Sequence, residues 1–196
     1  MLTFALAVFF LIITPGPGVL STAGVGASYG ARAGLRYLVG LFLGTNLVAL
    51  AVVSGLAAVL LADPRLRIVL FTLSFGYLAY LAFRIAFAGS KLAFIERASP
   101  PGLSGGILLQ IMNPKAYAVN TALYTGFGFL PDSYWGEVLV KFLIMNTIWA
   151  PIHLLWLWAG IKVHQLDLSP RTHSIINKAM AASMLIVVLL AGLEMA

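Results

Sequence analysis

Apolar residues fill six long stretches of the chain, at about 3–25, 38–62, 67–88, 103–128, 138–161 and 176–194, parted by short segments of charges, prolines and glycines. Each stretch is close to the roughly 20 residues with which an α-helix crosses about 30 Å of hydrocarbon. The pattern predicts an all-α, polytopic membrane protein with six transmembrane helices, forming one domain over residues 1–196. The fourth stretch is interrupted by Lys115, so hydropathy alone could divide it or pass it over.

Composition sharpens the class. Only 9% of residues are charged and 61% are hydrophobic, whereas an ordinary soluble domain is nearer a quarter charged. A soluble core could not hide this much apolar surface. The net charge of +6 is carried by basic residues scattered singly between apolar runs. Nucleic-acid binding needs them clustered on a polar face, so no nucleic-acid partner is expected and these residues act as topology determinants. The absence of cysteine excludes disulfides and thiol chemistry. Met1 to Ala31 carries no charge. A signal peptide begins with a basic segment, so the first stretch is expected to be a retained membrane helix.

Arg32 and Arg36 follow the first stretch, Arg84, Lys91 and Arg97 the third, and Lys162, Arg171 and Lys178 surround the connection after the fifth. The N-terminus has no basic residue, and the loop after the fourth stretch offers Asp132 and Glu137, with Lys141 just inside the fifth. By the positive-inside rule both termini lie outside. Arg65 and Arg67, beside Asp63, run weakly against this. The segment at about 89–102, with Pro100-Pro101-Gly102, divides the chain into a repeat of about 1–90 and one of about 100–196. Three spans is an odd number, so the second repeat would enter the membrane in the opposite sense, as an inverted repeat.

The first stretch of each half is broken by proline, at Thr14-Pro15-Gly16-Pro17-Gly18 and at Asn113-Pro114-Lys115. Lipid cannot satisfy the backbone groups such a break frees, so broken helices are tolerated where they line a cavity or pack in protein. Two breaks in matching positions are a pointer to a transporter's binding site. A weak echo supports the match: Thr45-Asn46 follows the first break and Asn146-Thr147 the second.

At the first break Pro15 and Pro17 lack an N–H, so the carbonyls of Leu11 and Ile13 lose their helical partners. Gly16 and Gly18 allow close approach of a ligand, and Pro17 can open the next helical segment. Freed N–H groups attract a carboxylate and freed carbonyls an ammonium, which together suit a zwitterion. A packing kink without ligand is the plainer alternative. At the second break Pro114 frees the carbonyl of Gln110, and Asn113 can cap the helix that follows. Lys115 is an intramembrane charge, costing about 2.5–3.5 kcal/mol on insertion scales, and is a functional candidate on that ground. It could hold a substrate carboxylate or lose a proton in coupling, unless it snorkels to an interface.

Four further groups carry alternatives. His153, near Pro151 and Asn146, could relay protons, although a histidine satisfied by a neighbouring helix is the commoner case. Asn46 could contact substrate or join two helices. Gly40 and Gly44 allow close helix packing, inside the bundle or across a homodimer. Tyr77, Tyr80, Trp149, Trp156 and Trp158 read as interface anchors or packing in preference to a substrate cage. No span holds paired carboxylates, no His/Asp/Glu cluster suggests a metal, and no phosphate loop is present, so no metal, cofactor or ATP-driven pumping is expected.

The residues therefore favour a secondary transporter whose small-molecule site is lined by Thr14, Pro15, Gly16, Pro17, Gly18, Asn46, Asn113, Pro114 and Lys115, with His153 as a proton relay. An intramembrane enzyme acting on a lipid-linked substrate has too few ionisable groups to draw on. A non-catalytic membrane scaffold would have no use for the breaks.

Thr14-Pro15-Gly16-Pro17, Gly30-x-Arg32-x-Gly34, Gly40-x-x-x-Gly44, Gly76-Tyr77-Leu78 and Asn113-Pro114-Lys115-Ala116, in this order over most of the chain, resemble the lysine exporter (LysE/RhtB) family of amino-acid efflux proteins. The resemblance implies a six-helix, multi-pass inner-membrane exporter of amino acids or their derivatives, coupled to an ion gradient, for which the proton gradient is the expected choice, with monomer and homodimer both open, and not an enzyme. Two departures bear on its substrate. Gly18 stands where members commonly carry a polar residue, often Asn, and Tyr117-Ala118-Val119-Asn120 replaces an often aromatic run.

Overall fold

A computed structural model describes residues 1–13, 16–56, 62–87, 99–166 and 169–193. The described helices are α1 (Leu2–Ile13), α2 (Pro17–Val53), α3 (Pro64–Ala86), α4 (Leu103–Met112), α5 (Pro114–Gly126), α6 (Tyr134–Gln165) and α7 (Pro170–Leu193), with no strand among the described residues. The all-α expectation and both interruptions are present: α1 gives way to α2 before Pro17, and α4 to α5 at Asn113. Thr14 and Pro15, and most of the segment at 89–102, lie outside the described residues.

The sequence reading placed a loop between the first two stretches, but α2 runs on through one corner. Gly30 has φ 76° and ψ −172°, a conformation that only a residue without a Cβ adopts readily. The second arm begins at once after it, not at 38, and Arg32 and Arg36 lie exposed on that arm instead of in a loop. Across the corner the Tyr37 hydroxyl donates to Ser21 Oγ at 3.0 Å, joining the two arms with both side chains fully buried.

Glycines bring the helices together. A Cβ on Gly40 would lie 2.0 Å from the Leu103 carbonyl oxygen, and one on Gly106 would lie 2.3 Å from that of Tyr37. Gly44 meets Ile107 and Gln110 in the same way. The Gly40/Gly44 pair thus serves contact between α2 and α4 inside the bundle. Gly160 of α6 meets the Ala23 backbone of α2's first arm just as closely. The opposite side of the second arm carries an exposed stripe of Leu35, Val39, Leu43 and Leu47. Such an apolar face suits lipid and is out of place in water. By length and composition, Pro17–Val53 and Tyr134–Val163 are each able to cross a membrane.

α6 extends beyond the expected 138–161 at both ends and passes Pro151 without interruption. Asn46 of α2 and Asn146 of α6 form a reciprocal amide pair: Asn46 Nδ2 donates to Asn146 Oδ1 at 3.1 Å and Asn146 Nδ2 to Asn46 Oδ1 at 2.9 Å. Each also donates to its own helix, at Phe42 and Phe142. Replacing either by leucine strands the other amide. In a thermal-unfolding cycle in detergent, each single variant is expected to lose about 1–2 kcal/mol and the double variant less than the sum, with a coupling of about 0.6–1.7 kcal/mol. Additive losses would show that the pair does not act as a unit.

One charge lies elsewhere than the sequence suggested. Lys141, read as a topology charge near a loop, is only 2% exposed. Its Nζ meets Glu137 at 2.7 Å and donates to the Tyr124 carbonyl at 2.9 Å. Glu137 in turn accepts from the backbone N–H groups of Phe129 and Leu130. The pair fastens the connection between α5 and α6, where Phe4 and Phe129 lie near the lysine charge.

Candidate functional site

The two breaks open onto one cleft. Its empty space, counted together with the open mouth, is about 510 Å³. Gly16, Pro17 and Gly18 come from the first break, Asn113, Lys115 and Ala116 from the second, and Trp149 and His153 from α6. The breaks are in contact: a Cβ on Gly16 would lie 3.0 Å from Lys115 Nζ.

Local sequence gives the two breaks different chemistry. Pro17 opens α2 from an extended Gly16, and no side chain caps that helix. Pro17 has no N–H, and among the described residues the first bond at this end of the helix is the one that Leu20 donates to the Gly16 carbonyl. The first break thus presents backbone N–H groups at a helix start, an arrangement that attracts anions. At the second break Asn113 caps α5, its Oδ1 accepting from Lys115 N at 3.1 Å. The Gln110 carbonyl, expected to be freed by Pro114, instead accepts the Asn113 N–H at 3.2 Å. Asn113 Nδ2 also donates to Gln110 Oε1 at 2.9 Å. The carbonyl that Pro114 was expected to free is thus occupied, and the charged group that the second break brings to the cleft is the Lys115 ammonium.

His153 is buried in the opposite wall, stacked 3.6 Å from Trp149, with Nδ1 bonded to the Trp149 carbonyl in its own helix at 3.0 Å. Its Nε2 faces Gly18, where a Cβ would lie 3.4 Å away, and Gln110 Nε2 is 3.8 Å from the same point. An alanine fits there in ordinary contact, while a longer side chain would fill the gap between histidine and glutamine. Gly18 thus widens the cleft.

Of the residues proposed from sequence, Gly16, Pro17, Gly18, Asn113, Lys115 and His153 line the cleft together. Pro114 starts α5 beside it. Asn46 is occupied in its pair with Asn146 and its neighbour Thr45 lines the cleft instead. Trp149, read as an anchor or packing residue, forms part of the wall, because α6 turns that face inward. Gln110 and Asn120 were missed. A solitary amide in an apolar helix was the available signal.

The model of the LysE type translocator matches residues 9–194. The chain belongs to the LysE family. It is a membrane transport protein and not an enzyme. Among LysE-family relatives, an uncharacterized membrane protein of Pseudomonas aeruginosa is 30% identical, over 79% of this chain and 74% of its own. A protein named leucine efflux protein from Salmonella typhimurium is 25% identical, over 74% of this chain and 69% of its own. One of the same name from Enterobacter sp. is also 25% identical, over 64% of this chain and 62% of its own. No solved structure gives a significant match.

Proposed function

We propose that this protein is a secondary exporter of small zwitterionic amino acids, which bind in the cleft between the two breaks and leave under the proton gradient. The observation that carries the reading is the contact of Lys115 Nζ with Gly16, since it joins the two breaks at a common polar point. A substrate carboxylate would lie between Lys115 and the N–H groups of Gly18 and Val19. The carbonyls ending α1, near Leu11 and Ile12 on the cleft, are the natural acceptors for its ammonium. No Asp or Glu is among the described residues lining the cleft. A cationic side chain would find no counter-charge there, so the substrate's own side chain is neutral. The leucine efflux relatives support an amino acid as cargo.

Among the described residues lining the cleft, His153 and Lys115 are the titratable groups, which supports His153 as the proton relay. The reciprocal Asn46–Asn146 pair joins corresponding helices of the two halves and supports two inverted three-helix repeats. Alternating access would follow from rocking one repeat against the other. Removing Lys141 from the loop charges favours a multi-pass inner-membrane protein with both termini outside. Because Gly40 and Gly44 are used within the bundle, a homodimer would pair through the exposed apolar stripe of α2.

Purified protein in proteoliposomes loaded with a mixture of labelled amino acids tests this. Imposing a pH gradient is expected to release neutral amino acids, and collapsing the gradient to stop their accumulation outside. Release that ignores the gradient would reject proton coupling, and no release of any amino acid would reject export.

A further inference from the structure

Asn120 is a polar group of the cleft that carboxylate and ammonium binding leave unused. It lies on α5, is 2% exposed and lines the cleft. Its Nδ2 donates to the Ala116 carbonyl at 2.7 Å. That bond fixes which end of the amide is oxygen, because the reverse assignment would set two oxygens against each other. Oδ1 is then buried without a hydrogen-bond partner. Buried polar atoms are nearly always paired, and one left over in a cavity wall points to a group that arrives with a ligand.

The position of Asn120 separates it from the carboxylate end. Val119, Met145, Leu11 and Ile12 form an apolar part of the cleft wall, and all four belong to, or pack against, one hydrophobic cluster. Asn120 follows Val119 on α5 and lines the same cleft. It lies five residues after Lys115, about 7.5 Å further along the helix axis. A solute with its carboxylate at the breaks would extend its side chain toward these residues.

We propose that Asn120 determines specificity: its Oδ1 accepts a hydrogen bond from a hydroxyl or amide donor on the side chain of the exported amino acid. The inference rests on the reading of the cleft as the transport site. A wholly apolar side chain leaves the oxygen unpaired in a closed pocket, whereas a donor satisfies it. A site built to hydrogen-bond a substrate rejects the analogue that lacks the donor far more strongly than an apolar pocket rejects an added hydroxyl.

Threonine and valine have the same shape and differ by a hydroxyl in place of a methyl. Wild-type, Asn120→Leu and Lys115→Ala proteins are reconstituted at equal levels in proteoliposomes loaded with either labelled solute. The wild type is expected to export threonine about tenfold faster than valine, or more. Asn120→Leu is expected to lose or reverse that preference while still exporting valine. An unchanged preference, an equal loss of both solutes, or a wild type that exports threonine no faster than valine overturns the inference. Lys115→Ala distinguishes this from failure of the cleft reading: export of both solutes at the wild-type rate would remove the site itself. If Asn120→Leu does not accumulate, Asn120→Ala removes the same oxygen with less bulk and is read in the same way.

Discussion

Replacing Lys115 by alanine is expected to abolish efflux while the protein still reaches the membrane. The lysine joins the two breaks, its Nζ lying 3.0 Å from where a Gly16 Cβ would be. A hydrogen bond to a charged group contributes about 1.5–3 kcal/mol, and stranding one partner of a buried ion pair costs about 3–5 kcal/mol. Loss of the carboxylate contact therefore lowers transport by about a hundredfold or more. Insertion does not suffer, because removing the charge relieves about 2.5–3.5 kcal/mol of unfavourable transfer. Efflux from proteoliposomes at matched protein content is the measurement. A wild-type rate in Lys115→Ala would refute the role. Lys115→Arg retains the charge but brings a broader head group against the Gly16 backbone, so partial activity is expected.

The second large effect concerns assembly. In Gly106→Val a Cβ would lie 2.3 Å from the Tyr37 carbonyl oxygen and 2.6 Å from the Leu41 nitrogen. Both neighbours are backbone atoms of a helix, which cannot turn aside as the end of a side chain can. Helices α2 and α4 must separate, and α4 carries the second break toward the first. Overpacking costs about 1–3 kcal/mol where side chains can yield, and more where they cannot. The variant is expected to lose monodisperse protein on gel filtration in detergent. Gly76→Ala is the control, since among the described residues nothing lies within 4 Å of a Cβ there. If both variants elute like the wild type, the close approach of α2 and α4 is not needed for folding.

Much of this molecule could be read from local pattern. Proline marked both interruptions because it removes an N–H wherever it stands, and Asn113 before Pro114 announced a cap. The helical stretches followed from apolar length. What escaped was direction. Apolar length does not say which face of α6 turns inward, so Trp149 was read as an anchor or packing residue although it walls the cleft. Gly30 was legible as a glycine but not as a corner, since many membrane glycines only pack. Lys141 showed its i−4 partner Glu137 in sequence, yet the buried lysine also needs the carbonyl of Tyr124, on another helix. Asn46 pairs across 100 positions, a distance at which no local rule operates.

The turn at Gly30 leaves no slack between the arms it joins, and the Tyr37–Ser21 bond acts as a strut across the elbow. Swinging the arm that bears Gly18 must therefore crank the arm that bears Thr45. Both reach the cleft, so a tilt of this lever reshapes two of its walls in one stroke.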